Sequence, residues 1–125
     1  MKLLLDTHVL LWWLADSRKL SKEVKRAIAD PGNVVTVSAA TIWEIAIKRT
    51  LGKLTIPDNW YEVLAEEPFQ RLPIHWHHAR EAQELPDHHR DPFDRMLVAQ
   101  ARSEGLVLAT HDERILAYDV TVLRA

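Results

Sequence analysis

Apolar and polar positions change in blocks along this chain, and each change of rhythm marks a predicted element. Lys2 to Leu5 opens with consecutive apolar residues, the pattern of a strand covered on both faces. After Asp6-Thr7-His8, the run Val9 to Ala15 is too apolar all round for a surface helix. Ser21 is placed to cap a second helix reaching about Asp30, with Val24, Ala27 and Ile28 on one face. The turn residues Asp30-Pro31-Gly32-Asn33 stop it. Val34 to Val37 is a β-branched run and a second strand, closed by Ser38. A helix follows from about Ala40 to Thr50, apolar through Ile42, Trp43, Ile45, Ala46 and Ile47 but interrupted by Glu44.

Lys53 to Pro57 reads as an extended connection, and Asp58 as the cap of a helix that ends before Pro68. Phe69 to Ile74 is a weak third strand, which Pro73 confines to a sheet edge or a strand end. His75 to Leu85 is helical, and Pro86 stops it before the loop Asp87-His88-His89-Arg90. Asp91 then suits an N-cap and Pro92 the first helical position of a helix ending at Gly105. Leu106 to Thr110 is a fourth strand, Asp112 caps a short helix from Glu113 to Tyr118, and Val120 to Leu123 is the last strand. Strands alternating with helices imply right-handed crossovers and a parallel sheet, in one three-layer α/β/α domain over residues 1–125. In such sheets the functional crevice lies beyond the carboxyl ends of the strands.

Composition narrows the chemistry. The chain has no cysteine, which removes disulfides, thiolate metal sites and cysteine nucleophiles, and suits a reducing cytoplasm. The longest apolar run is far too short to span a bilayer, and the N-terminus lacks a signal-peptide pattern, so a soluble cytoplasmic protein is expected. A formal net charge of -2 argues against binding nucleic acid through a broad basic field, although Lys48, Arg49 and Lys53 cluster locally. No glycine-rich phosphate loop and no Ser-His-Asp set can be assembled.

What remains is a set of acids. Asp6 follows the first strand and Asp112 the fourth, while Glu44 and Asp94 lie in early turns of helices that should start at the same edge. Each has a structural explanation of its own. Asp6 and Asp112 can cap helices, Glu44 has capping-box spacing from Thr41 and ion-pair spacing to Lys48, and Asp94 can complement a helix dipole. Together, four carboxylates at one edge repel one another unless a cation holds them. Oxygen ligands without thiolate favour Mg²⁺ or Mn²⁺, which can activate water for displacement at a phosphodiester. The histidines His75, His77, His78, His88 and His89 show no zinc-protease spacing. His8 and His111 each stand beside a candidate acid, where they either orient a phosphate or sit at the rim; the rim is the simpler reading. Trp12 and Trp13 diverge by about 100° on one helix, so one of them is expected to meet a partner.

The pieces Leu4-Leu5-Asp6-Thr7-His8, Ser38 to Ile45, Arg90-Asp91-Pro92-Phe93-Asp94-Arg95 and Thr110-His111-Asp112 make the whole chain resemble the PIN-domain ribonucleases, and among them the VapC-like toxins of bacterial toxin-antitoxin pairs. The resemblance implies a five-stranded sheet ordered 3-2-1-4-5 and an acidic pocket of Asp6, Glu44, Asp94 and Asp112, with Asp6 and Asp94 as leading metal ligands and Asp91 as a cap. It also implies cleavage of single-stranded or looped RNA to a 5′-phosphate and a 3′-hydroxyl, a homodimer, and a cognate antitoxin that covers the cleft. Relatives often carry Asn or Ala where this chain has His111, which leaves the role of Asp112 the most open of the four. The expected function is therefore a Mg²⁺- or Mn²⁺-dependent endoribonuclease. The alternatives are a non-catalytic interaction module on the same fold and a Mg²⁺-binding receiver domain; a receiver needs a lysine after the last strand, where only Arg124 and Ala125 stand.

Overall fold

The structure, a computed structural model, describes residues 1–125. Five strands, β1 (Lys2–Leu5), β2 (Val34–Ser38), β3 (Gln70–Leu72), β4 (Val107–Thr110) and β5 (Val122–Arg124), form one sheet in the order β3-β2-β1-β4-β5. Every neighbouring pair is parallel. The order reverses between β1 and β4, as expected. Receiver domains use the order 2-1-3-4-5, so the topology removes that alternative.

The consecutive leucines of β1 explain the layering. Successive side chains on a strand point to opposite faces. Leu3 and Leu5 accordingly enter a core with Val9 and Leu10 of α1 (Thr7–Leu14), Val24 and Ile28 of α2 (Lys22–Ala29), and Leu64 of α4 (Trp60–Ala65). Leu4 enters a second core with Leu97, Val98 and Ala101 of α6 (Pro92–Glu104), beside Leu85 at the end of α5 (Trp76–Glu84). Helix α3 (Ala39–Thr50) reaches both, giving Ile45 to the first and Ala40 to the second.

Several element ends differ from expectation for local reasons. Helix α1 begins at Thr7 because Asp6 is its N-cap, its Oδ1 accepting from the Val9 N–H at 2.8 Å. Ser38 caps α3, with Oγ accepting from Ala40 N–H at 3.0 Å, so the Thr41–Glu44 spacing is not a capping box and Glu44 is free for other contacts. Asp58 does not cap α4; it pairs with Arg49, and Asn59 holds the cap position without a side-chain bond. Strand β3 is only Gln70–Leu72, at the sheet edge with Pro73 just beyond it, as that proline requires. After Asp112 there is a single 3₁₀ turn, Ile115–Ala117, where a longer helix was expected.

The histidine group on α5 is a packing joint. His78 is fully buried, its Nδ1 accepting from the His75 N–H at 3.0 Å and its Nε2 lying 2.7 Å from Glu104 Oε1 on α6. His77 stands within 3.6 Å of the same oxygen. Nδ1 of His78 thus closes the first turn of α5, and Nε2 holds α5 against α6.

Because Leu4 is fully buried between α6 and the sheet, Leu4→Ala is expected to cost about 2–5 kcal/mol in a urea unfolding titration. Gln70→Ala on the exposed edge strand should change stability by no more than about 0.5 kcal/mol.

Candidate active site

The β1–β4 pairing brings the first two acids together. Leu5 pairs with Ala109, and the Asp6 N–H donates to Ala109 O at 3.0 Å, which sets Asp6 beside Thr110 at the carboxyl end of both strands. Thr110 Oγ1 donates to Asp6 Oδ2 at 2.5 Å and accepts from the Asp112 N–H at 3.0 Å. One hydroxyl therefore ties both acids. Asp6 is buried, and that burial pushes its carboxyl above the usual range against the opposing pull of the Thr110 and Val9 hydrogen bonds.

Glu44 reaches the site from the second turn of α3 and is likewise buried. Its Oε1 accepts from Thr7 Oγ1 and its Oε2 from Lys48 Nζ, each at 2.5 Å. The Glu44 hydrogen bond in turn holds the Lys48 ammonium above its ordinary range.

Asp94 stands in the first turn of α6, one turn from the cap that Asp91 makes. Asp91 Oδ1 accepts from the N–H groups of Phe93 at 2.8 Å and Asp94 at 3.1 Å. Burial, with the charges of Asp91, Glu44 and Asp6, pushes the Asp94 carboxyl up to about 7, only partly opposed by His89. Asp112 moves the other way: burial raises it, but the Arg114 N–H and the bond and charge of His89 outweigh that and leave it below the usual range.

Between Asp94 and Asp112 stands His89, a residue the sequence offered only as part of a loop pair. It is 5% exposed, and its Nε2 lies 3.0 Å from Asp94 Oδ2 and 2.9 Å from Asp112 Oδ2. Its Nδ1 accepts from the Asp91 N–H at 3.2 Å, which places the ring proton on Nε2, facing the two carboxylates. The backbone of His89 is fixed too, its N–H donating to Tyr118 Oη at 2.9 Å. The signal available in sequence was its position two residues before the cap, within reach of that backbone N–H.

Residues 3–120 match the sequence profile of the PIN domain. The chain belongs to the PIN-domain family. It is 33% identical over 119 residues to Ribonuclease VapC22 of Mycobacterium tuberculosis (strain ATCC 25618 / H37Rv), covering 92% of this chain and 90% of that protein. Among solved structures it resembles VapBC2 from Rickettsia felis bound to a promoter DNA fragment, with a TM-score of 0.74 and 12% identity over 100% of this chain and 99% of that one. DNA-bound VapBC from Salmonella typhimurium gives a TM-score of 0.70 and 17% identity over 99% and 98%. At those identities the structural likeness speaks for the fold.

Within this PIN domain the donor set fits a hard divalent cation. Ligand atoms of Asp94, Asp112 and His89 lie within 4.8 Å of one another, Asp6 joins them through the Thr110 hydroxyl, and none is a thiolate; a carboxyl lifted to about 7 among other acids is one whose ionised form a cation would relieve. Each bonded Asp6 oxygen keeps a second lone pair. Glu44 is more fully engaged, by Thr7 and Lys48. Arg95, close in sequence to the acids, is committed elsewhere: its guanidinium donates to the carbonyls of Ala82, Leu85, Pro86 and His89 and to Tyr118 Oη.

The sign of the Asp94 shift gives a stability test. With the folded carboxyl near 7 and the unfolded one near 3.8, the folded chain holds a proton the unfolded chain has lost, so stability falls as pH rises between those values. In chelator, Asp94→Asn should therefore be more stable than wild type at pH 8, by about 1–2 kcal/mol, with the gap shrinking toward pH 4. Thermal melts of both proteins across that range measure it.

Proposed function

We propose that this chain is a Mg²⁺- or Mn²⁺-dependent endoribonuclease and the toxin of a toxin-antitoxin pair. The observation that carries the reading is the convergence of Asp6, Asp94 and Asp112 on Thr110 and His89 at the strand reversal of a PIN domain. The 33% identity to a ribonuclease over most of both chains supports RNA as the substrate class. The VapBC complexes among its structural neighbours support a cognate antitoxin as partner. No helix is long and apolar enough to cross a membrane, and the proposed setting is the cytoplasm, with a homodimer as the assembly.

In this mechanism Asp6 and Asp94 would hold the cation, with Asp112 as a further carboxylate beside them. When bound, the cation supplies Lewis acidity toward the phosphodiester and a nucleophilic water at neutral pH. Glu44, fixed by Thr7 and Lys48, would orient the attacking water through the lone pairs those bonds leave free. Thr110 keeps Asp6 and Asp112 in one geometry, so that neither has to reorganise during the reaction. His89 directs its Nε2 proton at Asp94 and Asp112 and sets which carboxylate oxygens remain available. The products would be a 5′-phosphate and a 3′-hydroxyl.

Purified protein on a labelled RNA with unpaired loops tests the reading. Cleavage should require Mg²⁺ or Mn²⁺ and stop with chelator, and Asp6→Ala or Asp94→Ala should lose on the order of a hundredfold or more, at least the scale seen when a metal site loses a supporting group. Equal cleavage by wild type and both variants would sink the mechanism. No cleavage of varied RNAs by folded, metal-loaded wild type would favour the non-catalytic interaction module.

Metal binding carries its own pH signature. Below about 7 the Asp94 proton must leave before its carboxylate can coordinate, so Mn²⁺ affinity should rise from pH 6 to pH 8. Calorimetry in two buffers of different ionisation enthalpy should show proton release at pH 6 and almost none at pH 8.

A further inference from the structure

Three rings that the metal chemistry leaves unused stand at the mouth of the site. His8 and Trp12 are one turn apart on α1, directly after Asp6, and His111 is the residue between Thr110 and Asp112. Their ring centroids lie 4.6 Å apart for Trp12 and His111, 5.3 Å for His8 and His111, and 6.1 Å for His8 and Trp12. His8 and His111 are exposed, while Trp12 packs partly against the core. His8 follows Asp6 by two residues and His111 directly precedes Asp112, so the cluster rises from the same strand ends as the acids.

We propose that His8, Trp12 and His111 form a stacking platform for one unpaired nucleobase of the RNA beside the scissile phosphate. The inference rests on the ribonuclease reading and goes further, assigning the residues that position the substrate. Exposed aromatic faces suit an unpaired base because every base has a π-face, and single-stranded RNA is commonly held by such stacking. The imidazoles add N–H groups for the adjoining phosphate, a contact that acids alone would repel. The platform rises from the segments that follow β1 and β4, the strands that carry Asp6 and Thr110, so a base stacked there has its backbone directed over the carboxylates.

The other exposed tryptophans have different surroundings. Trp43 meets Phe93 edge-on at 5.6 Å and lines an apolar groove of about 540 Å³ with Ile42, Tyr61 and Phe69, which offers no imidazole to a phosphate. Trp76 is 95% exposed on α5, away from the acids, and serves as a control.

The test uses full-length protein with Mn²⁺ and a short unpaired RNA carrying 2-aminopurine near the cleavage site. Wild type should quench the 2-aminopurine fluorescence on binding. His111→Ala and Trp12→Leu should lose most of that quench and raise KM about 5- to 100-fold, the range for losing one stacked base, with kcat within about twofold. Trp12→Phe should restore the quench, and Trp76→Ala should match wild type. His8→Ala and His111→Ala change exposed residues, so they keep the test valid where the Trp12 variants do not fold. Metal-dependent cleavage with unchanged KM and quench in His8→Ala and His111→Ala would overturn the platform while leaving the nuclease reading intact. The same result with weakened capture of the antitoxin would assign the rings to a protein partner and overturn it equally. Wild type that neither binds nor cleaves RNA would overturn both.

Discussion

A single hydroxyl on β4 governs the geometry of the site. Thr110 donates to the Asp6 carboxylate and accepts from the backbone N–H of Asp112, so the Asp6 carboxylate and the backbone that carries Asp112 are both tied to the β1–β4 pair. That arrangement depends on the β1–β4 register, and the register depends on the pleat of Leu3-Leu4-Leu5, which splits its side chains between two cores. A one-residue slip would exchange those faces and move Asp6 away from Thr110. Packing energy in the sheet is thereby what holds the carboxylates in place.

The site holds its acids close together at a cost in the metal-free chain. Burial and the charges of Asp91, Glu44 and Asp6 work against ionised Asp94, while His89, Lys48 and the helix start favour it. Such local conflict is characteristic of functional sites, where selection keeps a destabilising arrangement because a ligand resolves it. Glu44 shows the opposite solution, since Thr7 and Lys48 satisfy both its oxygens from within the chain. The acids of this pocket are therefore not equivalent.

Much of this was legible in sequence because its causes are local. Uninterrupted apolar strands, β-branched residues in β2 and the Asp91-Pro92 start of α6 announce elements by short-range rules, and the structure realises them. The strand order came from resemblance to a family, whereas the joint role of the four acids followed from their placement at one edge of a parallel sheet, which the resemblance then sharpened; spacing alone left each acid a structural explanation. What stayed hidden was long-range. The Thr7–Glu44, Thr110–Asp6 and His89–Asp112 contacts join residues 37, 104 and 23 positions apart, and no periodicity encodes them. Asp58 was misread as a cap because an equally good partner, Arg49, lies on the preceding helix.

Arg95 carries a consequence for how this protein meets a polyanion. Its guanidinium is spent on the chain's own carbonyls, stapling the 82–89 segment that presents His89. Lys48 is likewise held by Glu44, and the chain as a whole is slightly acidic. Arg90 and Arg114, exposed beside His89 and Asp112 and in no ion pair, are the cations left near the pocket to exchange for the counterions of an RNA backbone. On the proposed ribonuclease reading, attraction to RNA is confined to those two side chains in a slightly acidic chain, and the rest of the discrimination falls to contacts made after arrival. A nuclease of the proposed kind, built this way, would pass over most of the RNA it meets without being held by it.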